Sequence, residues 1–149
     1  MFPSAIETLG GLGDGLSTEV WWSPSHPFKS SVTGQSAQQL AADYEKASGR
    51  QWTQPLGFAH ALFEIAVDTF RRTKDIDSNI AVRDALAATN VNTIVGKVAW
   101  GNGPVRNVAK TPLVGGQWIR GQKHRFDLAI VSNQQAPAVP LSGPLRTLA

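Results

Sequence analysis

The 149-residue chain contains no cysteine, which excludes disulfides, structural zinc of the thiolate kind and a thiol nucleophile. It also lacks any run of roughly 18 to 20 apolar residues, so no segment reads as a bilayer-crossing helix and no direct membrane insertion is expected. Its first residues, Met1-Phe-Pro-Ser-Ala-Ile-Glu7, supply neither a basic n-region nor an apolar h-region, and no export signal is legible. The formal net charge is +3, but the cations are scattered. Arg71-Arg72-Thr-Lys74 is the one cluster, at the end of an expected helix where positive charge complements the dipole. Without a basic stripe, no nucleic-acid partner is expected.

Catalytic and cofactor signatures are missing as well. Gly10-Gly-Leu-Gly-Asp-Gly15 resembles a phosphate loop only in glycine content: no Gly-Lys-Ser/Thr follows, and the glycines precede a strand instead of opening a helix. The glycine fingerprint and acidic ribose partner of a dinucleotide site are absent, which weighs against a fragment of a dinucleotide-dependent enzyme. His26, His60 and His124 lie far apart without ligand spacing, so no metal is expected. Glu64 and Asp68, spaced i, i+4, read as a solvated polar strip rather than an acid/base pair. No Gly-x-Ser-x-Gly elbow occurs. The chain is thus expected to be no enzyme and to hold no cofactor.

What is present describes a globular protein of one modest domain, with 42% apolar and 17% charged residues. Residues 1–13 read as a helix tail and a glycine turn, and residues 15–22 as a strand ended by Pro24 and Pro27. Ser36 or Thr33 caps a one-sided helix with apolar residues at Ala37, Leu40, Ala41, Tyr44 and Ala47, ending at Gly49. Residues 52–56 read as an extended connection, because Gln54 precedes a proline. Residues 57–72 form a helix apolar on most of its circumference, which demands cover on more than one side. Ser78 caps a third helix ending near Thr89. Strands follow at residues 93–100, 113–119 and 125–131, then a proline-bearing surface tail.

The order of three segments carries a resemblance: Ser78-Asn-Ile-Ala-Val-Arg-Asp-Ala-Leu-Ala-Ala-Thr89, then Asn92-Thr-Ile-Val-Gly-Lys-Val-Ala-Trp100, then Pro112-Leu-Val-Gly-Gly-Gln-Trp118. With the upstream strand into Trp22-Ser-Pro-Ser-His-Pro27 and the helix Gln39-Leu-Ala-Ala-Asp-Tyr44, the chain resembles the C-terminal part of periplasmic solute-binding proteins of the branched-chain amino-acid type. The resemblance implies an α/β architecture, the C-terminal portion of a two-lobed type I periplasmic-binding fold with doubly wound parallel sheets and inter-lobe crossovers. Residues 1–92 would then pack mainly on one lobe, residues 93–133 would make the return crossing and the strands of the other, and residues 134–149 would be the tail. The missing strands under the broad-faced helices would come from upstream, as would a signal peptide.

The resemblance also implies function: capture of a small-molecule carboxylate or amino acid in the periplasm and its presentation to an ABC permease in the membrane. A ligand-sensing lobe of a receptor or regulator is the alternative with the same fold. In the family, an aromatic at the start of the broad-faced helix lies at the cleft; here the segment is Gly57-Phe-Ala-His-Ala61, which makes Phe58 the first ligand-binding candidate, with Trp22 and His60 beside it. Trp21 and Trp22 point to opposite faces of a strand, so one enters the core while the other reaches an edge or cleft. Phe in place of the commoner Tyr removes a hydroxyl and favours an apolar or aromatic ligand.

Overall fold

The computed structural model describes residues 2–147, with the side chain of Asn102 left aside; Met1 of the expected helix tail and residues 148–149 of the tail lie outside this range. Helix α1 (Pro3–Thr8) and a 3-10 turn (Gly10–Gly13) lead into β1 (Ser17–Val20), followed by α2 (Ala37–Ser48), α3 (Gln54–Arg72) and α4 (Asn79–Ala87). Four strands follow: β2 (Asn90–Thr93), β3 (Gly96–Ala99), β4 (Val114–Arg120) and β5 (Phe126–Ser132). The α/β class expected from the sequence is observed. All strand pairings among the described residues are antiparallel, in a three-stranded sheet β1-β4-β5 and a hairpin β2-β3. The parallel strands of a doubly wound lobe are not among them: even β1 and β4, which α2, α3 and α4 separate in the chain, pair antiparallel.

The amphipathic helices follow their caps. Ser36 Oγ accepts from Gln39 N while the Gln39 side chain accepts from Ser36 N, a capping box, and Gly49 closes α2 in the left-handed region at φ 67°. Ser78 caps α4 in the same one-sided way. Helix α3 starts earlier than residue 57. Gln54 and Pro55 form its first turn, where proline loses no hydrogen bond, and the buried Gln54 amide continues the edge of β1: Oε1 accepts from Trp21 N at 2.7 Å and Nε2 donates to Glu19 O at 3.2 Å. That tertiary bracket overrides the extended preference of a residue before proline.

Two further expectations are corrected, and a third is refined. Residues 93–100 are not one strand: the chain turns at Ile94-Val95, with Thr93 opposite Gly96 in the hairpin register and Gly96 at φ 102°. The turn is apolar because its tip enters the core, where Ile94 and Val95 are buried beside Trp22, Trp52, Ala41 and Ala61. Glu64 is not solvated; it is 1% exposed and clamps the hairpin tip and the residue 31 turn. The C-terminal surface tail is tied down as a strap: Val139 and Ala136 join the core formed by Val20, Val114 and Ile130, Ser142 N donates to Ile130 O, and the Gln117 amide holds Arg146 from both sides.

The broad-faced helix splits its surface. Gly57, Ala61 and Glu64 face inward, whereas Leu62, Phe63 and Phe70 are exposed. Close approach explains the small residues on the inner face: a Cβ on Gly57 would lie 2.3 Å from Trp22 Cγ.

Candidate functional site

An open groove of about 1090 Å³ forms where these pieces meet. Its walls come from the end of β1 (Trp21), the loop beyond (Phe28), the first turns of α3 (Phe58), β3 (Lys97), the segment entering β4 (residues 110–113) and the strap (residues 135–139). Phe58 and Trp21 meet edge to face, with ring centroids 6.1 Å apart and planes at 88°, the geometry the ring quadrupoles favour. The Gln54 bracket fixes this pair, because it ties the backbone N of Trp21 to the same helix that carries Phe58 one turn later.

The expected strand ends at Val20, before the two tryptophans, yet they still part, Trp21 to the groove and Trp22 to the core. Trp22 is 0% exposed and stacks edge to face on Trp52 at 5.9 Å, under Gly57; it is a core residue and does not line this groove. Trp21, at 36% exposure, takes the groove position. His60 does not reach the groove either. It is half-buried, with Nε2 2.8 Å from Ser30 Oγ, and Ser30 Oγ in turn accepts from Val32 N and Thr33 N. His60 therefore steadies the turn at residues 30–33. Of the three residues singled out in the sequence, Phe58 alone stands on the groove wall.

Sequence reasoning missed Phe28, Lys97 and Lys110. The signal for Lys97 was present in the pleat: Gly96 and Val98 are buried, so the residue between them faces out. Phe28 and Lys110 sit in irregular segments, where no periodicity orients a side chain. Phe28 packs toward Gly96 and lies 6.1 Å from the His26 ring. His26 itself is buried, its Nδ1 accepting from Ser23 N at 3.0 Å; burial holds its pKa down at about 4, so the ring is neutral at neutral pH and serves as a structural acceptor. The third histidine, His124, bridges Glu45 and Asp127 away from the groove lining. Burial works against the Glu45 carboxylate, but hydrogen bonds from Lys123 and Trp52 N, with His124 nearby, leave its pKa below the usual range. Among the described residues, no three His, Asp or Glu side chains gather as a metal site, and no helix is long and apolar enough to cross a membrane.

No family model and no curated protein matches the sequence. Among solved structures, the chain is similar to a leucine-binding protein, LivK, of Thermotoga maritima, with a TM-score of 0.59 at 15% identity. The match covers 89% of this chain and 35% of that one, so the chain spans about a third of the length of the structure it resembles. At this identity the likeness establishes architecture: the chain has the mixed α/β fold of a part of a type I periplasmic-binding protein.

Proposed function

We propose that the chain is the C-terminal, cleft-forming part of an extracytoplasmic solute-binding protein, which captures a branched-chain or aromatic amino acid or a small aromatic carboxylate in the periplasm and delivers it to an ABC permease. The observation that carries this reading is the edge-to-face Phe58–Trp21 pair on the wall of an open groove, on a backbone that matches part of a leucine-binding protein. A concave, mainly apolar surface with a few polar groups suits a small ligand better than a macromolecule. Two α/β lobes that close on the ligand would present the closed form to the permease.

Isothermal calorimetry against leucine, isoleucine, phenylalanine and small aromatic acids tests the reading. Saturable one-to-one binding of at least one of them is the expected result, and heat of dilution alone across the whole panel contradicts it.

A further inference from the structure

We infer that Lys97 and Lys110 form the anion anchor of the groove and that its ligand is an aromatic carboxylate without an α-ammonium group. This rests on reading the groove as the ligand site. The two lysines are its charged lining residues; none of the described residues that line it is an aspartate or glutamate. Neither lysine forms an ion pair among the described residues. The cross-strand neighbour of Lys97 in the hairpin is the uncharged Asn92, so nothing there neutralises its ammonium. Ammonium groups beside an apolar wall suit a ligand with one anionic end and a flat apolar body, since charge-assisted hydrogen bonds hold the first and ring faces the second. Trp21, Phe28 and Phe58 supply those faces.

An amino acid would bring an ammonium group as well, and this groove repels it. The carboxylate of Glu19 lies in an adjoining depression of about 280 Å³ that shares Leu113 and Gln135 with the groove. Glu19 is exposed, and interaction with its own backbone N–H, chiefly, holds its pKa below the usual range. Glu19 lies outside the groove lining itself, so it does not offset the two lysines within it.

The test uses the 149-residue chain in calorimetry with three probes of one skeleton: 3-phenylpropionate, its uncharged amide and L-phenylalanine. At low salt the acid is expected to bind about tenfold or more tighter than either of the others. The gap between acid and amide should close when Lys97→Met is combined with Lys110→Met. It should close equally at about 1 M salt, where the screening length falls to about 3 Å. Affinity for the amide should fall far less than affinity for the acid in the double variant. Equal binding of acid and amide by the parent chain overturns the lysine anchor while leaving the groove as a ligand site. Tighter binding of L-phenylalanine than of the acid overturns the ligand class and assigns an amino acid. Binding of none of the three removes the groove reading and this inference with it.

Discussion

Replacing Glu64 by alanine tests whether a buried carboxylate organises the groove. Glu64 Oε2 accepts from Ile94 N at 2.9 Å, and Oε1 accepts from Ser31 N at 2.5 Å and from Ser31 Oγ at 2.9 Å. One side chain on α3 thereby fixes both the hairpin that carries Lys97 and the turn after Phe28. In Glu64→Ala the Ile94 N–H stays buried without an acceptor, which costs about 1 to 3 kcal/mol, whereas the part-buried Ser31 groups recover some hydration. Together with the lost charge-assisted bonds, and offset by the relief of burying a charge, the destabilisation should be about 3 kcal/mol. For a chain of this size that corresponds to a melting temperature lower by about 6 to 12 °C. Glu64→Gln should fall between, because its amide keeps one acceptor and turns a donor toward the other N–H. The internal control is Asp68→Ala, one turn away. Asp68 makes a surface ion pair with Arg72 at 2.6 Å, worth at most about 0.5 kcal/mol. Thermal and urea unfolding read all three variants. Loss within about 0.5 kcal/mol for Glu64→Ala, the range of an ordinary surface change, would refute the clamp.

Gly57→Ala should destabilise despite alanine's helix preference of about 1 kcal/mol, because the new methyl meets the buried Trp22 ring at 2.3 to 2.6 Å and overpacking of this kind costs roughly 1 to 3 kcal/mol or more; a raised urea midpoint would contradict the packing. Acid should weaken the fold through His26. Its folded pKa of about 4 lies below the unfolded value near 6.5, so the unfolded chain binds the extra proton in that window; stability is complete above pH 6.5, falls as pH drops toward 4 by up to about 3 kcal/mol, and changes no further from this group below it. Urea titrations across that range should show the slope in the parent chain and lose it in His26→Asn. The exposed Leu62, Phe63 and Phe70 face of α3 should bind a hydrophobic dye or drive self-association of the isolated chain, and Phe63→Lys with Phe70→Lys should abolish both; a cooperative monomer that binds no dye would show this face to be ordinary surface.

Where local chemistry decides the conformation, the sequence was readable. The Ser36 and Ser78 caps, the Gly49 terminator and the strands β4 and β5 depend on neighbours within about four residues, and each element lies within about a residue or two of its expected bounds. Long-range contacts decided the rest. Gln54 enters a helix because it completes a strand edge 33 residues upstream, and Ile94-Val95 turns because the core receives its apolar tip. Glu64 is buried because three donors from two other segments converge on it, which its spacing from Asp68 could not reveal. The strap carries three prolines and no periodic apolar pattern, yet Ala136 and Val139 anchor it to the sheet. At the groove, the family pattern leads to Phe58 but also to Trp22 and His60, which the fold turns to the core and to the residue 30 turn; Trp21 stands where Trp22 was expected.

The most direct measurement is calorimetry of Phe58→Ala against the tightest ligand of the panel. Truncating a buried aromatic costs about 3 to 5 kcal/mol in a core and somewhat less on a groove wall, so the ligand should bind at least about tenfold more weakly while circular dichroism shows an intact fold. Unchanged affinity with a lowered melting temperature would make Phe58 a packing residue and contradict ligand capture at this groove.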